Sequence, residues 1–338
     1  MIPRFILAVT DLSPRGHAAL SRAALLSAQH GATLKLVYLA YPGEPPPADA
    51  ATRLAHHALQ LGQRHGIRAE AVSRLSFSVE ELLPDVRGAD LVVWGTASVR
   101  GLRSWFASRP IEQFLRIARR PVLVVRREAD EDYRSLIVAV DFTPASRALV
   151  DIGLALNKSA QVELFHAVST ANEGKLRYAE VSENAIRAYR NACRRHAQDK
   201  MFWLTDSYDS RRNRVLSAVG HGDAARQTVI QQENSGAQLI VVGRHPASRL
   251  GELLLGNTAN RILALSSTDV LVVPHDHEPA SGATAAKRLS EEAPARKVRA
   301  GVPKPPDLPN PVATFSTGSA FRTIDASPHA EPGRGFPR

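Results

Sequence analysis

Leu136-Ile137-Val138-Ala139-Val140-Asp141-Phe142-Thr143-Pro144 is the stretch that decides the fold. Its five apolar residues run without alternation, as a strand covered on both faces does. An acid, an apolar residue, a hydroxyl residue and a proline end it, and an Ala/Leu-rich helical stretch, 146–156, follows. The same order stands near the N-terminus: Phe5-Ile6-Leu7-Ala8-Val9-Thr10-Asp11-Leu12-Ser13-Pro14, then a helical stretch over 18–29. Asp11 and Asp141 are 130 residues apart.

Three more pairs keep that order. The strand-like run 33–39 matches 161–168, Ala89–Gly95 matches Ala237–Gly243, and Pro121–Val125 matches Asp269–Val273. The last two pairs share an offset of 148 residues. Four matches in one order mean an internal duplication. The growing offset places about 18 extra residues in the second copy, between Ser169 and Ser217. Each copy reads strand, helix, strand, helix, strand, helix, strand. That pattern predicts an α/β fold: two doubly wound parallel-sheet sandwiches in tandem, with right-handed crossovers. The boundaries read as domain 1 over 1–127, a charged linker over 128–134 and domain 2 over 135–276. The tail, 277–338, holds 10 of the 22 prolines and few large apolar residues, so it is expected to be disordered.

Composition narrows the function classes. A hydrophobic content of 44% in 338 residues supports real cores. No apolar run approaches the roughly 20 residues of a bilayer span, so no membrane insertion is expected. Asp11 cuts the first apolar run too short for a secretory signal. Cys193 is the single cysteine, which excludes an internal disulfide and makes a reducing cytoplasm the expected compartment. The net charge of +10 comes without an aromatic-plus-basic recognition motif, so solvated charge is favoured over a nucleic-acid partner.

The chemistry gathers in the second copy. A strand ends at Val242-Gly243, a loop carries His245, Pro246 and Arg249, and Gly256-Asn257-Thr258-Ala259 opens a helix. A glycine at a strand end lets backbone or ligand approach closely. A capped helix start presents free N–H groups and a dipole that favour phosphate. The bland alternative is that Gly243 and Gly256 only make turns and Asp141 only caps the following helix. No Walker loop, Gly-x-Gly-x2-Gly fingerprint or Ser-His-Asp arrangement is present.

These residues resemble the universal stress proteins of the UspA superfamily in their tandem form. The likeness covers about residues 3–126 and 134–274. The nucleotide-binding branch of that family carries Gly-x2-Gly-x9-Gly-(Ser/Asn), and Gly243, Gly256 and Asn257 fill its first, third and fourth positions. Pro246 replaces the second glycine and removes one backbone donor. His245 and Arg249 are the side chains placed to compensate. The resemblance also implies a strand-end acid at Asp141, with Ala139 and Val140 beside it, Ala167 near an adenine ring, Val242 just before the first glycine, and Thr258 and Ala259 following the phosphate cap. It further implies that Val122–Val125 and Val270–Val273 pair as edge strands in a pseudo-dimer.

The first copy departs from the motif. Ser98 stands at the second glycine position, and Ser108-Arg109-Pro110 replaces the glycine-and-cap element. It is therefore read as degenerate and nucleotide-free. The expected function is a cytoplasmic stress-response regulator that binds ATP, with Mg2+ as companion ion, in the second domain, with at most slow hydrolysis and no catalytic or metal residue assigned. A homodimer or other protein partners are the further expectation. The alternative is a nucleotide-free interaction protein of the same fold. A third reading is an ATPase or adenylyl transferase. His275-Asp276-His277 has metal-ligand types but no third partner in sequence reach, and Cys193 beside Arg194 and Arg195 reads as an ordinary helix residue.

Overall fold

The computed structural model describes residues 2–40, 45–95, 110–206, 208, 215–244 and 258–275. The first repeat supplies β1 (Phe5–Thr10), α1 (Pro14–His30), β2 (Thr33–Leu39), α2 (Ala50–His65), β3 (Ala69–Ser76), α3 (Leu83–Gly88), β4 (Leu91–Gly95), α4 (Pro110–Ile117) and β5 (Val122–Val124). The second supplies β6 (Ser135–Ala139), α5 (Ala145–Leu156), β7 (Gln161–Val168), α6 (Ala171–Tyr178), α7 (Glu183–Asp206), β8 (Val215–His221), α8 (Ala224–Ser235), β9 (Leu239–Arg244), α9 (Thr258–Leu265) and β10 (Asp269–Pro274).

All ten strands join one sheet in the order β3-β2-β1-β4-β5-β10-β9-β6-β7-β8. Every neighbouring pair is parallel except β5 with β10, which is antiparallel. Leu123 lies opposite Leu271 at that seam. These residues hold equivalent places in the two copies, so the seam relates one repeat to the other by a local twofold. Helices cover both faces. One apolar cluster includes Ile6, Val138, Leu149 and Val241, and the other includes Val9, Ile137, Val242 and Ile262. Strands buried on both sides need unbroken Val/Ile/Leu runs, which is why the four matched segments stand out in the sequence.

Each repeat has five strands where the sequence pattern gives four. The unforeseen strands are β3 and β8, and both are sheet edges. An edge strand is partly exposed, so its sequence lacks the continuous apolar run of a central one. The extra residues of the second copy supply α6 and the added length of α7 over α2, its counterpart in the first copy. In α7 the buried side chains are Ile186, Ala197 and Met201, while Tyr189 and Cys193 are half-buried and Ala185 faces out. The buried face of α7 therefore runs through Ile186, Ala197 and Met201.

Charged groups fasten the repeats together. Asp269 is buried and accepts from the backbone N–H of Arg126 (2.7 Å) and Arg127 (3.2 Å) and from the Tyr133 hydroxyl. The Arg22 guanidinium of α1 lies 3.9 Å from the Tyr133 ring centroid and donates to the Glu131 carbonyl at 2.7 Å. Arg126 reaches the Leu263 carbonyl in α9, and Arg244 reaches the Leu115 carbonyl in α4. Both acceptors lie toward helix C-termini, where a cation is favoured.

Candidate functional site

The site lies where β6, β7 and β9 end, beside the start of α9. Asp141 follows β6 and organises the turn. Its Oδ1 accepts from the Thr143 N–H (3.0 Å), the Thr143 hydroxyl (2.6 Å) and the Ser146 hydroxyl (2.9 Å). Phe142 between them is held at φ 62°. Leu12 in the first repeat is held at φ 57°, with Ser13 N–H donating to Asp11 Oδ1 at 2.9 Å. Left-handed backbone costs an L-residue about 1–2 kcal/mol. The same strained turn in both copies shows that acid and hydroxyl hold it there.

A histidine and a phenylalanine form one wall. His166 Nδ1 lies 2.8 Å from the Val140 carbonyl oxygen. A carbonyl only accepts, so Nδ1 carries the hydrogen. The ring sits 4.3 Å from the Phe142 ring centroid, and Lys200 Nζ of α7 lies 5.7 Å from that same centroid. Burial lowers the His166 pKa, against the opposing pull of the Val140 hydrogen bond and the Asp141 charge. The imidazole is therefore neutral at neutral pH.

On the other face of the sheet, Ala139 pairs with Val242 in the ladder. Ala139 and Ala167 are half-buried and, with Val242, belong to the same apolar cluster. Ala139 and Ala167 present only methyl groups at these strand ends, packed against the cluster that holds the buried Val242. Thr258 is exposed at the first position of α9, and Ala259 is fully buried behind it. Nearby, Asp223 caps α8 and grips Arg261 of α9 through two hydrogen bonds of 2.6 and 2.9 Å. Burial works against its charge, but the Arg226 N–H and the Arg261 guanidinium outweigh it and hold the carboxyl below its ordinary range.

Gly243 is a glycine because other atoms fill its side-chain space. A Cβ there would stand 2.4 Å from His275 Nε2 and 3.0 Å from Leu149 Cδ1. In the first repeat a Cβ on Gly95 would stand 2.2 Å from Ala19 Cβ and 2.5 Å from the Arg15 carbonyl oxygen. There α1 itself closes on the strand end. In the second copy the nearest atoms among the described residues belong to side chains.

The structure thus brings Ala139, Val140, Asp141, Ala167, Val242, Gly243, Thr258 and Ala259 to the same end of the sheet. His245, Pro246, Arg249, Gly256 and Asn257 lie outside the described residues, as do Ser98, Ser108, Arg109 and the tail from 276. Sequence reasoning missed Phe142, Ser146, His166 and Lys200. The hydroxyls two and five residues from Asp141 were the legible signal for the turn. Nothing in the sequence brings Lys200 to it.

Beside β8, Glu173 of α6 is buried and binds Arg190 (2.6 and 3.3 Å) and His221 (2.6 Å). The Arg190 hydrogen bond, against burial and with help from His221, holds this carboxyl below its ordinary range. Among the described residues no group of three or more His, Cys, Asp or Glu is placed to hold a metal ion, and no helix is long and apolar enough to cross a membrane.

The family model described as the universal stress protein family matches residues 4–126 and again 132–274. Universal stress protein YxiE of Bacillus subtilis (strain 168) is 25% identical over 148 residues, 42% of this chain and 99% of that one. Universal stress protein A homolog 2 of Coxiella burnetii (strain RSA 493 / Nine Mile phase I) is 28% identical over 147 residues, 42% of this chain and 96% of that one. The crystal structure of a universal stress protein from Archaeoglobus fulgidus DSM 4304 has a TM-score of 0.63 at 14% identity, covering 80% of this chain and 96% of that one. That last likeness concerns the fold alone.

Proposed function

The chain belongs to the universal stress protein family, and from that premise we propose that its second repeat binds ATP or a related adenine nucleotide as a regulatory ligand. The observation that supports this most is that Ala139, Ala167 and Val242 stand at neighbouring strand ends in the apolar cluster that also holds Ala259 of α9. Small apolar residues at three strand ends suit a planar base, and a helix N-terminus suits phosphate. Thr258 and Ala259, with His245, Arg249, Gly256 and Asn257, are the residues assigned to the phosphates, and Mg2+ would neutralise them. Asp141 and His166 fix the turn and the wall. The ligand acts by favouring one conformation of the chain over another in a cytoplasmic stress response. Any hydrolysis is slow, because the reading assigns no general base.

A second reading is an interaction protein of the same fold without nucleotide. It is favoured by one specific observation: the His275 ring already lies over Gly243. Calorimetry with ATP and Mg2+, together with mass spectrometry of small molecules released from the purified chain, separates the two. The first reading expects saturable binding that Gly256→Leu abolishes. Absence of binding at millimolar nucleotide overturns it.

A further inference from the structure

The two edges of the sheet are finished differently. β3 carries Glu70, bridged to Arg68 at 2.7 Å, and Arg74, bridged to Asp85. Charges on an edge oppose pairing with another strand. β8 reads Val215-Leu216-Ser217-Ala218-Val219-Gly220-His221, with no Asp, Glu, Lys or Arg, and among the described residues no strand lies beyond it. Exposed apolar groups stand on β8 and on α7 and α8, the helices packed against it. Leu216 is 49% exposed and Ile230 of α8 is 37% exposed. On α7, Phe202 is 65% and Trp203 71% exposed, their rings edge to face at 6.2 Å. Large exposed apolar groups on one uncharged edge strand and on its covering helices mark an interaction surface.

We infer that β8 pairs antiparallel with β8 of a second copy of this chain. An uncharged strand faces itself without opposing like charges, and a twofold repeats every contact. The chain joins its own repeats in the same manner: β5 and β10 pair antiparallel through Val122-Leu123-Val124 and Val270-Leu271-Val272. An acidic peptide would find no cation on β8 itself. A register centred on Ala218 sets Leu216 of each copy opposite Gly220 of the other, so the largest exposed side chain of the strand meets the smallest. This inference names the homodimer surface and does not depend on nucleotide binding.

The test is sedimentation equilibrium of the full chain, with hydrogen exchange on β8. Wild type is expected to be a dimer that dissociates on dilution. The variant carrying Leu216→Lys and Ser217→Lys, both at exposed positions, is expected to raise the dissociation constant about tenfold or more with its circular dichroism unchanged. Ser73→Lys on β3 is expected to leave it unaltered. A wild type that is monomeric at every attainable concentration overturns the inference. So does a dimer that survives both lysines. Protection, in a monomer, of the β8 amides that do not bond β7 also overturns it, because another occupant would then cover the edge.

Discussion

The Tyr133 hydroxyl donates to Asp269 Oδ2 at 2.5 Å, and both side chains are buried between the two repeats. Tyr133 comes from the connection between the copies and Asp269 opens β10, so this bond ties the connection to the second copy's seam strand. Removing the phenol leaves a buried carboxylate oxygen without its closest donor. Tyr133→Phe is expected to cost about 1–3 kcal/mol, read as a lower urea midpoint at constant slope. An unchanged midpoint would mean that solvent replaces the phenol.

The same phenol predicts alkaline sensitivity. Burial, then the Asp269 charge, pushes the Tyr133 pKa well above its ordinary value of 10.0, against the opposing pull of Arg22. The unfolded chain therefore releases this proton first as pH rises. Stability from Tyr133 is complete below about pH 10 and declines above it toward the folded pKa. Denaturant midpoints across that range should fall for wild type and fall less for Tyr133→Phe.

Gly95 and Gly243 occupy equivalent places but should respond differently to a methyl group. At Gly243 the nearest obstacle is the His275 ring, which is a side chain. Gly243→Ala is expected to cost about 1–3 kcal/mol, and His275→Ala should recover most of it. At Gly95 the Arg15 carbonyl oxygen stands in the way, so Gly95→Ala should cost more and no side-chain truncation should restore it. Thermal melts of the single and double variants decide this. Equal rescue in both repeats would contradict the difference in closure.

The parts of this molecule that are buried on two sides were the parts legible in its sequence. β1, β4, β6 and β9 lie centrally, and their unbroken apolar runs exposed the duplication. β3 and β8 end the sheet among the described residues and have mixed composition, so periodicity passed over them. At the site, Asp141 and Gly243 were readable because turns and close approaches demand particular residue types. His166, Lys200 and His275 reach their places through tertiary packing over long sequence separations. No local pattern encodes that.

One oxygen of Asp141 accepts three hydrogen bonds. Asparagine keeps an oxygen at that place and alanine does not. Asp141→Ala is expected to lose about 1–2 kcal/mol of stability, while Asp141→Asn stays close to wild type. Guanidinium unfolding of the two variants measures the difference. Equal losses would point to the charge rather than the acceptor geometry.

Glu173 should make α6 and α7 acid-sensitive. Its pKa is lowered in the folded chain, chiefly by the Arg190 hydrogen bond. The unfolded chain takes up a proton first as pH falls. The stabilising contribution is therefore present above the ordinary carboxylate range and lost as pH drops through the folded pKa. Because Arg190 and His221 are both more than a third exposed on their side chains, the effect is modest, about 1 kcal/mol. Hydrogen exchange of α6 amides at falling pH should show early loss of protection in wild type. Glu173→Gln should show weaker protection at neutral pH and little further loss on acidification. A wild type whose α6 protection tracks global unfolding at every pH would place the acid response elsewhere.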